Sequence, residues 1–315
     1  MQIRAASIGS FVPRENFDAT IQSVFDSSLN LRLDDRDFLL TLLVSDGYDL
    51  PQGIRIATTN PLPALTVGGV AACRGGVLRF DSVPFAVDLR GAPVWESQVK
   101  SLGADMRAPS AQAAWAAVWD ALNHRQRRVS AEVIANDLMP FAAGSPLSRR
   151  LGAPLFELMT SADSLDASAC AEAARAMIGL GPGVTPSGDD ILIGFLAGLW
   201  STAGKDWKRI SFIESFGNEL ANIAQNTNEI SRTYLALAAQ GQFSSSLSRL
   251  TESIAGGAED LAEAAEAAMR VGHSSGMDSV TGLLIGLAAW VMISPSPLFP
   301  FAKHPAGLPL GEGLG

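Results

Sequence analysis

A chain of 315 residues, 47% hydrophobic and 17% charged, is long enough for one large globular unit or two ordinary ones and too apolar to be disordered. Its net charge of −9, from 23 basic against 32 acidic residues, argues against nucleic-acid partners, whose phosphates require clustered Lys and Arg. The longest apolar runs, 191–200 and 280–293, are shorter than the roughly 20 residues of a membrane span, and residues 1–16 lack a signal-peptide core, so a cytoplasmic protein without membrane contact is expected.

The first third reads as strands. Short apolar or alternating runs at 38–44, 53–58, 65–72, 77–80 and 84–89 are separated by turn clusters such as Arg74-Gly75-Gly76. No long crossover helix divides them, which favours a small antiparallel β barrel or sandwich over a doubly wound parallel sheet. Cys73 lies here and Cys170 far downstream, neither in a CxxC pair, so no disulfide or zinc site is expected.

From about residue 109 the texture becomes Ala-rich and helical. Helices are predicted at 110–127, 130–139, 166–178, 188–200, 208–224, 228–239, 243–254, 259–271 and 277–293. Ser110, Ser130 and Asn226 read as caps, the last with Glu229 three residues on in a capping box. The basic run His124–Arg128 ends the first helix, where cations complement the dipole. Residues 294–315 are rich in Pro and Gly and read as an extended tail. The expected fold is α+β: a mainly β module over 1–105, a larger all-helical domain over 106–293, then the tail.

Within the helical part a motif recurs. Residues 186–199 (PSGDDILIGFLAGL) and 274–287 (SSGMDSVTGLLIGL) share Ser187/Ser275, Gly188/Gly276, Asp190/Asp278, Gly194/Gly282, Leu196/Leu284, Gly198/Gly286 and Leu199/Leu287, at an offset of 88 residues. Each copy opens a helix with Ser-Gly-x-Asp and continues as an apolar, glycine-spaced segment. The later glycines (194, 198, 282, 286) fit close helix packing through small residues. Paired helices of this kind would bring both N-termini to one place.

The segment before the first copy, Gly179 to Asp190, is rich in glycine. Gly181 and Gly183 permit positive φ, successive amides and a helix N-terminus attract anions, and Thr185, Ser187 and Gly188 add hydroxyls and close backbone approach. It is neither a Walker loop nor a dinucleotide fingerprint. Asp190 and Asp278 are the matched acids. Asp189 points about 100° away from Asp190 and is the extra one. The carboxylates could hold a divalent cation, accept from a substrate N–H, or satisfy backbone donors as ordinary caps. His273 precedes Ser274, Ser275 and Gly276 at the second opening, as an acid–base group or an exposed cap; His304, in the tail, has no role. Thr227, Asn228 and Ser231 lie at a third helix start, with Thr227 and Ser231 on one face. Ser231-Arg232-Thr233 is similar to the phosphate loop of the classical carbamoyltransferases over three residues only. No cofactor is specified.

At three of these segments, 181–190 (GPGVTPSGDD), 227–231 (TNEIS) and 272–278 (GHSSGMD), the chain resembles the AllH-like family, a bacterial family catalogued as a domain of unknown function. One member of that family is a subunit of oxamate carbamoyltransferase in anaerobic allantoin use. The resemblance implies carbamoyl exchange between carbamoyl phosphate and oxamate, giving oxalurate and phosphate, or the reverse. It also implies partner subunits and a small substrate bearing phosphate or carboxylate, and it carries over no catalytic residue. Asp190, His273 and Asp278 are the candidate catalytic groups. The other named residues of the three segments are candidate substrate contacts. Two further readings stay open: a non-catalytic anion-binding or scaffold subunit, and a metal-dependent hydrolase using Asp189, Asp190 and Asp278.

Overall fold

The computed structural model describes residues 1–291 except Asp46, residues 59–61, Pro63 and residues 139–143. Residues 292–315, and with them the predicted tail, the end of the last predicted helix and His304, lie outside the described residues. Ten strands come first: β1 Gln2–Arg4, β2 Ser7–Gly9, β3 Phe17–Val24, β4 Ser28–Leu33, β5 Leu39–Val44, β6 Gly53–Ile56, β7 Val70–Arg74, β8 Val77–Phe80, β9 Ala86–Asp88 and β10 Val94–Trp95. The architecture is α+β, with a strand-rich half followed by helices.

The strands form one sheet in the order β1-β9-β8-β7-β3-β4-β5-β6-β2-β10. It is mixed rather than antiparallel: β1/β9, β2/β10 and β5/β6 pair in parallel. Only Ala5 and Ala6 separate β1 from β2, yet these strands sit near opposite ends of the order. The Ala5 amide donates to Asp88 O and the next amide, Ala6, to Arg55 O, both at 2.8 Å. This short stretch draws the two ends of the sheet together and curls it into a half-barrel around a core that includes Ile8, Ile21, Leu31, Ile54, Leu78 and Val87. Period-two patterning is clearest in β3. In β3, Phe17, Ala19 and Ile21 point inward while Asp18 is exposed. Five of the six residues of β5 are buried, because α6 lies over its outer side.

Nine helices follow among the described residues: α1 Pro109–Arg128, α2 Pro146–Asp163, α3 Ala167–Arg175, α4 Ser187–Ala203, α5 Trp207–Ile223, α6 Glu229–Ala239, α7 Ser245–Gly256, α8 Leu261–Met269 and α9 Ser275–Ala288. The cap of α1 is Ala108 with Pro109 at N1, not Ser110. Ser130 takes a positive φ after α1, and only a short 3-10 turn, Ala135–Leu138, stands where a helix from Ser130 was expected. Helix α2 was not anticipated, although Ser145 accepts from the Ser148 amide and Pro146 occupies N1, a recognised start. Cys73 and Cys170 are both buried and free. No helix among the described residues is long and apolar enough to cross a membrane.

The middle of the helical part is the pair α4 and α9. Sixteen of the 17 residues of α4 are buried, the pattern of a helix wrapped on every side. A Cβ on Gly194 would meet Ser279 O at 1.9 Å, and one on Gly198 would meet Leu287 N at 2.4 Å. Reciprocally, a Cβ on Gly282 would meet Ile191 O at 1.9 Å, and one on Gly286 would meet Phe195 O at 2.3 Å. Contacts that advance together along both helices make the pair parallel, and swapping the copies exchanges the Gly194–Ser279 and Gly282–Ile191 contacts, so a local two-fold axis relates the first halves of α4 and α9. The Trp115 indole of α1 donates to Leu284 O at 2.7 Å and pins the pair from one side.

Candidate functional site

Because α4 and α9 are parallel and in register, their N-termini sit side by side. Most backbone donors there are already used. Gly188 N–H donates to Leu180 O at 2.8 Å and Asp190 N–H to Pro186 O at 3.1 Å; Gly276 N–H donates to Val271 O at 2.9 Å and Asp278 N–H to Ser274 O at 3.0 Å. Ser187 and Ser275 are the first helical residues rather than caps, and neither helix has a side-chain cap bond. Gly188 and Gly276 serve tight backbone approach, since a Cβ on either would lie 2.0 Å from Met177 O or 2.2 Å from Ala268 O. Gly181 adopts φ 116°, with Ser187 N 2.7 Å from where its Cβ would be.

The two matched serines cross over. Asp190 of α4 is influenced by the hydroxyls of Ser275 and Thr185, Asp278 of α9 by those of Ser187 and Ser274. Thr185 and Ser275 hydroxyls are bonded to each other at 2.6 Å, tying the first loop to the second helix. Asp190 is 5% and Asp278 2% exposed, and the Oδ2 of each is buried without a hydrogen-bond partner. Burial lifts both carboxyls above their ordinary range, because a charge removed from water is disfavoured. Asp278 is pushed up to about 6. Asp190 is raised well above its ordinary value, first by burial and then by repulsion from Asp278.

Asp189 does something else. It is fully buried; its Oδ1 accepts from Gly179 N–H at 2.8 Å and its Oδ2 from the Thr227 hydroxyl at 2.6 Å. The buried Ser231 hydroxyl lies beside it and helps hold the charge, short of a full hydrogen bond. Asp189 therefore ties the glycine loop and the start of α6 to α4, and its oxygens are not free for a ligand. The cap of α6 is Asn228 rather than Asn226: its Oδ1 accepts from Ile230 and Ser231 amides at 3.0 Å. Its Nδ2 donates to Val184 O at 2.9 Å, so Thr227, Asn228 and Ser231 position the loop rather than line a site.

Above the helix starts a cavity of about 600 Å³ opens between the sheet and the helices. Of the sequence-derived candidates it is lined by Gly183, Thr185, Asp190, His273, Ser274, Ser275 and Gly276. Gly181, Ser187, Gly188, Asp189, Thr227, Asn228, Ser231 and Asp278 do not line it. Asp278 thus stands behind the site. His273 is exposed at the cavity wall. The three-carboxylate arrangement of a metal hydrolase is not formed: Asp189 is engaged elsewhere, and no group of three or more potential His, Cys, Asp or Glu ligands comes together among the described residues.

Two family models match the chain. One, described as oxamate carbamoyltransferase subunit AllH, covers residues 177–287, and the other, the AllH family N-terminal domain, covers residues 4–94. The chain belongs to the AllH family. No solved structure matches it. The C-terminal match contains both helix openings, and the N-terminal match supplies the opposite wall of the cavity.

That wall of the cavity in this AllH-family chain was not legible in the sequence. Thr41 of β5 donates to Asn30 of β4 at 2.8 Å, and both line the cavity. Tyr48, from the β5–β6 link, and Tyr234 of α6 lie between this cavity and an adjoining one of about 950 Å³, lining both. Burial pushes the Tyr234 phenol up to about 12 and Tyr48 higher still, so both are neutral donors at physiological pH. The Gln242 side-chain oxygen is buried and unpartnered in the same wall. The one available signal was composition: these are the only two tyrosines of the chain. The sheet is held in place over the helices by Arg32–Glu229 at 2.6 Å, Arg232–Asp37 at 2.7 Å and the Asp49 amide donating to Ser245 Oγ at 2.8 Å.

Proposed function

We propose that this chain is a subunit of an oxamate carbamoyltransferase-type enzyme, acting in the cytoplasm in allantoin or purine nitrogen use, and that its 600 Å³ cavity is where carbamoyl exchange occurs. In this reading residues 1–105 and 106–293 are its two units, closing on a small substrate that bears a phosphate or carboxylate. The observation that carries the reading, beside the family match, is Asp190: a buried carboxyl in the cavity wall with an unpartnered oxygen, held well above its ordinary pKa. Such a group exchanges protons nearer neutral pH, where acid–base catalysis is most effective.

The chemistry has a matching need. The amide nitrogen of oxamate attacks the carbamoyl carbon of carbamoyl phosphate, a nitrogen–carbon bond forms, and the carbon–oxygen bond to phosphate breaks. The nitrogen must lose a proton, which Asp190 accepts, and it returns that proton when oxalurate is cleaved by phosphate. The Thr185–Ser275 hydroxyl pair orients Asp190, and Tyr234 and Tyr48 donate toward the carbamoyl oxygen. Asp190→Asn should lower kcat for oxalurate formation by about 10²–10⁴-fold with the fold unchanged, and Ser275→Ala by less. Full activity of the assembled Asp190→Asn enzyme would sink the assignment.

One observation favours a second reading, a binding or scaffold subunit serving a catalytic partner: among the described residues no Lys or Arg lines the cavity. On that reading Asp190→Asn weakens substrate binding and leaves kcat at saturation unchanged.

A further inference from the structure

The substrates of the proposed reaction are anions, and among the described residues the charges around the cavity do not answer them. The arginines placed nearby are engaged: Arg32 with Glu229 at 2.6 Å, Arg232 with Asp37 at 2.7 Å, Arg249 with Asp260 at 2.9 Å and Arg270 with Glu266 at 2.8 Å. The adjoining larger cavity, where Arg249 and Arg270 lie, also carries Asp49, Glu96 and Glu252. Five of the helix-start amides, those of Gly188, Asp189, Asp190, Gly276 and Asp278, already donate to Leu180, Pro186, Val271 and Ser274. Asp190 at the cavity wall would repel a second negative group. An anion taken from water into such a place without a counter-charge is strongly disfavoured.

The rim of the same cavity has the opposite defect. Of the residues that line it, the apolar Phe25 and Val184 are 40% and 49% exposed, and His273 is exposed as well. Apolar groups bordering a polar site are what a protein partner covers, and Arg is enriched in the surfaces that cover them. A chain with net charge −9 also attracts a basic partner surface.

We propose that a Lys or Arg side chain of another subunit completes this site at the rim formed by Phe25, Val184 and His273. It meets the phosphate or carboxylate of the substrate, while this chain holds the uncharged amide end beside Asp190. The partner thus contributes a residue to the site, because among the described residues the isolated chain offers no Lys or Arg to the anion. The inference rests on the transferase reading for the identity of the anions and on the charge inventory for the rest.

The test uses the full chain, alone and assembled with its cognate subunits. Isothermal titration calorimetry with inorganic phosphate and with oxamate should show no binding to the isolated wild-type chain. Val184→Arg, which supplies the missing charge at the rim, should bind phosphate at least tenfold more tightly than wild type. Val184→Glu should leave the thermal transition of the isolated chain in place and abolish oxalurate formation on assembly. Phosphate binding by the isolated wild-type chain, a silent Val184→Arg, or a fully active assembled Val184→Glu would each overturn the proposal. The two readings fail separately. An assembled enzyme that gains phosphate binding but transfers no carbamoyl group refutes the reaction and leaves the shared site. An active enzyme whose isolated chain already binds phosphate refutes the shared site and leaves the reaction.

Discussion

At the start of α4, Asp190 lies in the wall of a cavity roofed by the sheet; at the start of α9, its counterpart Asp278 lines neither cavity and is surrounded by Ser187, Ser274 and the charge of Glu132. The helix starts behind the two acids are equivalent, down to the reciprocal contacts of Gly194 and Gly282. What differs is what is laid over each opening. Tyr48, α6 and the start of α7 face the first, so the same four-residue signature puts one acid in a cavity wall and the other behind it. The repeat fixes packing, and the surroundings fix which acid meets the cavity.

The shared half of that comparison is the easiest to break. A methyl group at Gly194 or Gly282 would lie 1.9 Å from a backbone oxygen of the other helix, which cannot yield as a side chain can. Gly194→Ala and Gly282→Ala should each cost about 3 kcal/mol or more in urea unfolding, and by similar amounts if the local two-fold is real. Gly256→Ala is the control. It ends α7 with no atom within 4 Å of the new Cβ, so it should be neutral or stabilising by about 0.5–1 kcal/mol. A marked inequality between the first two would break the symmetry.

The acids should separate the two openings. Burial raises Asp278 from an ordinary 3.8 to about 6, so the folded chain binds this proton more tightly than the unfolded chain. Its contribution is therefore complete below about pH 4 and is lost as pH rises through 6, by about 3 kcal/mol for such a shift. Asp278→Asn removes the penalty: unfolding midpoints should match wild type near pH 4 and exceed it above pH 7. In the assembled enzyme the same variant should displace the pH profile while leaving much of kcat, because Asp278 acts on Asp190 by charge and touches no ligand. Asp190→Asn should likewise stabilise the chain at high pH and, on the transferase reading, lower kcat by about 10²–10⁴-fold. Equal losses of kcat in both variants would show that the openings work as one dyad.

The sequence carried the parts of this arrangement that depend on spacing alone. Identity at a constant offset of 88 residues exposed the helix pair, the four packing glycines and the two matched acids. It did not carry contacts made between distant segments. Asp189 looked like a spare carboxylate because its partners, Gly179 and Thr227, lie on other turns of the chain. Asn226 read as the cap, and only the bonds from Ile230 and Ser231 show that Asn228 is. Helix α2 was hidden by Pro154 and by Gly152, which reads as a breaker but sits where a Cβ would be 2.9 Å from Leu138 O. The parallel pairs of the sheet escaped because β1 and β2, a single local stretch, join strands from both of its ends.

The smallest effect concerns the residues just ahead of each motif. Thr185 and His273 occupy equivalent places at the same offset of 88 residues, yet only Thr185 is bonded across the axis, to Ser275 at 2.6 Å. His273 is exposed and makes no hydrogen bond with the described residues. Thr185→Val keeps shape and loses that bond, so it should cost about 1 kcal/mol, the usual worth of a part-buried hydroxyl contact. His273→Val should stay within about 0.5 kcal/mol, as surface changes do. A cost at His273 equal to that at Thr185 would mean that the second opening is braced in solution as the first is, and that the asymmetry begins only at the acids.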